Sequence, residues 1–249
     1  MAPKPTLGLA EQQTFLSGLV ERVRQTRAAG QTPVVVFDLD GTLLDNRPRT
    51  RAILREVAAS WKDARPELAR TLLSLEVEHV VYMLQESLAP FGVTDEEALD
   101  EAISHWRRRF FVDELLHHDE PIEGSVAFVR AVYEAGATIV YLTGRDLPNM
   151  SLGSWQSLRD RGFPIGVVGT ELVCKPAFEM SDEVYKSEQA PLVGRLGTVI
   201  ASFDNEPGNC NVFLRFHPQA ASVLLDTQHS PSAPEIEAGV ISIRSFVHK

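Results

Sequence analysis

The chain has little cysteine, no excess of positive charge and no long apolar run. Its two cysteines among 249 residues, Cys174 and Cys210, make no disulfide framework and point to a reducing compartment. Both sit in apolar surroundings and read as small buried hydrophobes. Lys and Arg number 24 against 34 Asp and Glu, a formal charge of −10. That acidity weighs against a nucleic-acid or anionic-lipid partner, without excluding a local basic pocket. No window is long and apolar enough to span a bilayer. The opening "MAPKPTLGLAEQQ" lacks the basic start and apolar stretch of a signal peptide. A soluble, cytoplasmic protein with no membrane partner is expected. Gly (16) and Pro (15) are too few for disorder, and 44% hydrophobic residues suffice for one large domain or a core plus a smaller unit. There is no internal repeat, no low-complexity segment, and no Gly-rich Lys-Ser/Thr loop of the P-loop kind.

What stands out instead is "VVVFDLDGTLLDN", Val34 to Asn46. A β-branched and aromatic run reads as a buried strand, yet it ends in two carboxylates, Asp38 and Asp40. Burying bare charge is expensive, so something must meet them. A calcium loop is ruled out, because the twelfth position from Asp38 is Arg49 rather than an acid.

The rest of the chain changes rhythm twice. Residues 8–29 carry Phe15, Leu16, Leu19, Val20 and Val23 on one helical face. From Arg47 to Glu120 the pattern is helical with almost no strand signal. "RAILREVAASW", "ELARTLLSLEVEHVVYMLQESL" and "DEEALDEAISHWRRRFFVDELL" are three candidate helices, the last starting at Thr94. From Pro121 strands and helices alternate: "ATIVYLTGR", "IGVVGTELVCK", "TVIASFDNEP", "ASVLLDT" and "GVISIRSF" read as strands. "GSVAFVRAVYEAG", Ser151–Arg161, Asp182–Leu196 and "GNCNVFLRF" read as helices. Alternation of this kind predicts an α/β fold with a parallel sheet covered on both faces. The expected division is an N-terminal helix packed on the core (1–30), an α/β core (31–46 and 120–249) and an all-helical insertion (47–119) after the first strand. Insertions that long are usually functional.

In open α/β sheets ligands bind at the carboxyl ends of the strands. That rule selects Asp38-Leu39-Asp40, Thr143-Gly144-Arg145 and Asp204-Asn205-Glu206. The chemistry suited to these residues is phosphoryl transfer. A carboxylate can attack phosphorus, provided that a cation first offsets the charge of the phosphate dianion. Mg²⁺ takes carboxylate and water oxygens, and Asp204 supplies a third carboxylate beside Asp38 and Asp40. A lysine and the Thr143 hydroxyl can hold the remaining phosphate oxygens. Asp40, two residues along the strand, faces the same way as Asp38 and is placed to protonate the leaving oxygen. Gly41 permits a sharp turn beside the phosphate.

"DLDGTLLDN", "VYLTGR", a downstream Lys and "ASFDNEP" occur in an order that resembles the haloacid dehalogenase (HAD) superfamily of phosphotransferases. The resemblance covers residues 31–46 and 121–226. It implies a Rossmann-like core, Mg²⁺ and an aspartyl-phosphate intermediate. It also implies Asp38 as nucleophile, Asp40 as general acid/base, Thr143 on the phosphate, and the helical insertion as a mobile cap. Two motifs depart from the common pattern. The lysine is Lys186 or Lys175, with Lys186 favoured because "CKP…DEVYK" is similar to HAD nucleic-acid end phosphatases. In "FDNEPGN", Asp204 matches the metal position, and the second place falls to Asn205, Glu206 or Asn209.

The expected activity is Mg²⁺-dependent hydrolysis of a small phosphorylated metabolite. The alternatives are a nucleic-acid 3′-end phosphatase, a phospholigand-binding module without turnover, and a phosphomutase. Arg145 reads either as a phosphate contact or as half of a surface ion pair. Arg47, Arg49 and Arg51 read as an anion-attracting rim or a solvated helix start, and Asp45 and Asn46 as caps of the turn into the insertion. His117-His118-Asp119 is a poor metal site, since adjacent histidines share no face. Oligomeric state is open.

Overall fold

The computed structural model describes residues 6–248; residues 1–5 and 249, at the ends of the expected 1–30 and 120–249 segments, lie outside them. Helix α1 (Leu9–Ala28) leads into strand β1 (Pro33–Phe37) and the short β2 (Leu44–Asp45). The insertion follows as α2 (Arg47–Ser60), α3 (Pro66–Leu73), α4 (Leu84–Leu88) and α5 (Glu96–Phe110). The chain returns through β3 (Glu120–Pro121) to α6 (Ser125–Glu134), β4 (Thr138–Asp146), α7 (Leu147–Asp160) and β5 (Thr170–Lys175). Then come α8 (Asp182–Gln189), β6 (Thr198–Asp204), α9 (Pro207–Phe216), β7 (Ala221–Leu225) and β8 (Ile241–Ile243).

The main sheet is parallel, in the order β5-β4-β1-β6-β7-β8. The α/β class with a helical insertion after the first strand is therefore what the chain forms. β1 is buried throughout, as a central parallel strand must be. Its alternate side chains serve two cores. Val35 and Phe37 join α1 and α6 on one face; Val34 and Val36 join Tyr185 and Phe213 of α8 and α9 on the other. Phe37 stacks on Phe203 at 4.9 Å and meets Phe128 edge-on at 6.3 Å. Truncating so large a buried ring costs about 3–5 kcal/mol, so the strand that carries Asp38 is firmly held.

Register then places the site. Phe37 pairs with Tyr141 on one side and with Phe203 on the other. The next residues up the sheet, Asp38 and Asp204, emerge together, and the Asp38 amide donates to the Phe203 carbonyl at 2.9 Å. β1 is also where the strand order reverses, with β4 on one side and β6 on the other, so the crevice opens there.

The insertion has its own apolar cluster, including Leu54, Val57, Trp61, Leu72, Leu88, Ala98 and Ala102. It leaves and re-enters the core through an antiparallel ribbon in which Asp45 pairs with Glu120. Its helices differ from the expected ones in two ways. Residues 67–88 are not one helix: α3 ends at Leu73, and a 3₁₀ turn and an extended stretch intervene before α4. The β-branched run Val77, Val80, Val81 resists helix, and Val80 and Met83 adopt extended backbone. α5 starts at Glu96 with Asp95, not Thr94, as the cap that accepts the Ala98 amide at 3.0 Å. Elsewhere α8 stops at Gln189, before Pro191, and only the 170–175 half of "IGVVGTELVCK" is strand.

Candidate active site

Three strand ends and one helix meet at the crevice. Asp38, at the tip of β1, and Asp204, at the tip of β6, are both buried. The Lys186 ammonium, delivered by α8, donates to Asp38 Oδ1 and to Asp204 Oδ2, each at 2.7 Å. The other Asp38 oxygen accepts from the Thr42 hydroxyl at 3.0 Å. Asp204 Oδ1 accepts from the Glu206 amide at 2.9 Å and from Asn209 Nδ2 at 3.1 Å. Asn205 accepts weakly from Thr42 and donates to the Gln228 carbonyl at 2.6 Å. Glu206 turns away and accepts the Ser230 amide.

One ammonium thus serves two buried carboxylates. Burial pushes Asp38 up to about 7; the charges of Asp204 and Asp40 add to this, and Lys186 only partly offsets it. Burial alone would strip the Lys186 proton, but Asp204 and Asp38 outweigh it and raise the group above its ordinary value. Asp40 is the opposite case. Burial would raise it, yet Arg145 and Arg49 overcome that and hold it well below the usual carboxylate range. Arg145 Nε donates to Asp40 Oδ2 at 2.7 Å, and its Nη2 donates to Oδ1 at 2.9 Å. Arg49 Nη2 donates to the same Oδ1 at 2.6 Å, and Asn46 at 3.3 Å.

The two arginines share a second carboxylate, the fully buried Asp119. Arg145 Nη2 donates to its Oδ2 at 2.6 Å. Arg49 Nε lies 3.0 Å from its Oδ1, an ion-pair distance without the alignment of a hydrogen bond. Two guanidiniums and two carboxylates make a charge-balanced set, buried except for Asp40, which is partly exposed to the cavity. Each comes from a different segment: the turn after β1, the start of α2, the end of β4, and the chain returning from the insertion.

The expected residues are placed as follows. Asp38, Asp40, Gly144, Arg145 and Lys186 line one cavity of about 860 Å³, together with Asn205, Glu206 and Asn209. Lys175 is not among them; it pairs with Asp182 at 2.7 Å, because β5 ends one strand further from β1. Thr143 is buried, and its hydroxyl accepts the Arg145 amide at 3.1 Å rather than facing the cavity. A bulge in the β4–β5 register after Thr143 re-aims Gly144 and Arg145. A β-carbon at Gly144 would collide with the Asp182 carboxylate. One at Gly41, where φ is +74°, would sit 2.5 Å from Asn205 Nδ2. Arg145 is not on a surface: it is buried at the cavity wall, with its guanidinium engaged by Asp40, Asp119 and Ser154. Arg49 is buried as well, whereas Arg47 pairs with Asp45 and Arg51 with Glu76. Cys174 and Cys210 are both free thiols.

Sequence reasoning missed Thr42 and Asp119. The first lay in plain view in "DLDGT". The second had no local signal, since its partners are distant in sequence.

Among the described residues no three His, Cys, Asp or Glu side chains gather as a ready metal cage. The donors that do gather are hard oxygens: the Asp38 and Asp204 carboxylates and the Asn205 amide oxygen. With Asp40 held between arginines, an ionised Asp38 together with Asp204 would set two buried negative charges against the single ammonium of Lys186. That excess and that donor type fit a small divalent cation such as Mg²⁺.

Among the described residues no helix is long and apolar enough to cross a membrane. A family model of haloacid dehalogenase-like hydrolases matches residues 32–169, a span that includes Asp38, Asp40, Asp119 and Arg145. A Pseudomonas aeruginosa protein described as a 5′-nucleotidase is 33% identical over 121 residues. The match takes in 47% of this chain and 51% of that protein, so the chain spans about half the length of this curated relative. In fold the chain is similar to a HAD-superfamily hydrolase of subfamily IA from Geobacter sulfurreducens (TM-score 0.50, 13% identity, 87% of this chain and 93% of that one). It is also similar to Protein Tyrosine Kinase A of Mycobacterium tuberculosis (TM-score 0.51, 15% identity, 86% and 94%). Likenesses this distant carry the fold and not the reaction. With a match over more than half its length, the chain belongs to the haloacid dehalogenase-like hydrolase family.

Proposed function

We propose that the protein is a Mg²⁺-dependent phosphatase that hydrolyses a small phosphomonoester through a phosphoryl group carried on Asp38. The observation that bears the most weight is the Lys186 bridge between Asp38 and Asp204, which gathers a nucleophile, a cation and a second anion at one strand-end crevice. Thr42 and Lys186 hold the Asp38 carboxylate so that one lone pair can face an incoming phosphorus. Asp38 and Asp204, with the Asn205 amide oxygen beside them, are the residues that would hold the metal. Bound there, Mg²⁺ would offset the charge of the phosphate dianion. The Asp40 carboxylate is taken up by arginines and is left for proton transfer. Held ionised by the arginines, it would take a proton from the water that releases phosphate; it could protonate the leaving oxygen only after first taking up a proton as that grip loosens.

The relative described as a 5′-nucleotidase supports a monophosphate substrate. The net charge of −10 and a crevice roofed by the insertion favour a small substrate over a nucleic-acid end. Two free thiols are in keeping with a reducing, cytoplasmic setting.

The test is phosphate release from p-nitrophenyl phosphate with Mg²⁺, with EDTA, and with Asp38→Asn. Mg²⁺-dependent release that disappears in the variant is the expected result. Release that is indifferent to EDTA, or that survives in Asp38→Asn, would reject the proposal.

A further inference from the structure

The cavity above the aspartates is larger than a phosphate and a short carbon chain need. At about 860 Å³ it lies toward the upper end of small-molecule sites, roughly 300–1,000 Å³. One wall is a face of α5, where Ile103, Trp106 and Phe110 recur at helical spacing, continued by Phe111 just past its end. The extended stretch between the 3₁₀ turn and α4 lines the cavity too, with Val81 and Tyr82 exposed.

The aromatic wall is braced from behind. Trp106 packs on Phe110 at 4.4 Å and meets Phe111 edge-on at 5.8 Å, and Phe111 meets Phe178 at 5.1 Å. The Arg49 guanidinium lies over the Phe110 ring at 3.9 Å. Trp106 Nε1 donates to Thr50 Oγ1 at 3.1 Å. With that N–H engaged, the α5 face offers one hydrogen-bonding side chain to the cavity, Arg107 at its exposed lip. A polyhydroxylated leaving group would find few partners on this wall, and leaving hydroxyls unpaired is costly. A flat ring would find faces to stack on.

Resting on the phosphatase reading above, we infer that the substrate's leaving group carries a planar aromatic ring, which packs against the Trp106–Phe110–Phe111 wall. The ring sets specificity, while the strand-end residues treat the phosphate alike in every substrate.

The experiment compares adenosine 5′-monophosphate with ribose 5-phosphate, which share phosphate and sugar and differ in the base. The expected result is a kcat/KM higher by about tenfold or more for the nucleotide, in line with stacking of one base on an aromatic side chain. Trp106→Ala should bring the ratio toward one, and Trp106→Phe should restore it. Binding to Asp38→Asn separates any aromatic ring from a nucleoside: p-nitrophenyl phosphate held about as tightly as the nucleotide means that the ring alone suffices. Equal kcat/KM for the two ribosyl substrates in the wild-type protein overturns the inference. If no substrate is hydrolysed, the phosphatase reading has failed, and calorimetric binding to Asp38→Asn judges the aromatic wall separately. Tighter binding of the nucleotide than of ribose 5-phosphate upholds the wall; equal or absent binding overturns it.

Discussion

Arg145 grips Asp40 with two hydrogen bonds, Nε to Oδ2 at 2.7 Å and Nη2 to Oδ1 at 2.9 Å, while the same Nη2 reaches Asp119 at 2.6 Å. A carboxylate so held is firmly ionised. It is a ready acceptor for the proton of an attacking water, and a poor donor until the grip loosens. The demand on Asp40 therefore depends on the leaving group. Asp40→Asn should cost about a hundredfold or more in kcat for an alkyl phosphate, within the usual range for general acid catalysis. The cost should be smaller for p-nitrophenyl phosphate, whose leaving group departs without a proton. Steady-state rates on the two substrates check this. An equal loss on both would mean that Asp40 acts chiefly on the water.

Asp119 sits at the return from the insertion, fully buried between Arg145 and Arg49. Asp119→Ala leaves two buried guanidiniums with one carboxylate, the partly exposed Asp40. Breaking a buried pair from one side typically costs about 3–5 kcal/mol, and a loss of that order is expected in urea unfolding. A change below about 1 kcal/mol, the scale of an exposed pair, would show that the network is open to water.

Asp38 is expected to trade stability for function. Its carboxyl is raised from an ordinary 3.8 to about 7 in the folded protein, so folding favours its neutral form. The penalty for the charge is absent below the ordinary value, grows between the two, and is complete above pH 7. Asn has no such charge. Without divalent metal, Asp38→Asn should melt a few °C above the wild type at pH 8, and the gap should close toward pH 4. Mg²⁺ should raise the wild type more than the variant. A variant less stable than the wild type at pH 8 would show that Lys186 neutralises both carboxylates fully.

The two candidate lysines separate by function. Lys186→Ala leaves Asp38 and Asp204 facing each other without their shared ammonium. It should abolish phosphate release and lower the melting temperature. Lys175 pairs with a mostly exposed Asp182, away from both carboxylates. Lys175→Ala should retain most of the activity. The same phosphate-release assay on both variants decides between them, and the reverse ranking would contradict the placement.

The sheet and its strand-end carboxylates are legible in the sequence because a parallel strand announces itself. Val34–Phe37 is continuously apolar, and charges that follow such a run stand at a crevice. What is not legible depends on pairing across long separations. Nothing near Asp119 indicates that it meets Arg145, and nothing near Arg49 indicates burial rather than a solvated helix start. The place of Thr143 at a strand end is legible in "LTGR", but that its hydroxyl accepts the Arg145 amide beside a register bulge is not. The break between α3 and α4 follows from β-branched valines at positions where apolar spacing alone suggests a helix. That extended stretch then becomes a wall of the cavity.

The central claim is that Asp38 itself carries the phosphoryl group. Its most direct test is mass spectrometry of protein mixed with Mg²⁺ and p-nitrophenyl phosphate and quenched in acid during turnover. The peptide containing Asp38 should gain the mass of one phosphoryl group, which hydroxylamine removes, and Asp38→Asn should gain none. Phosphate release with no labelled protein, or a label on any other residue, would contradict the account.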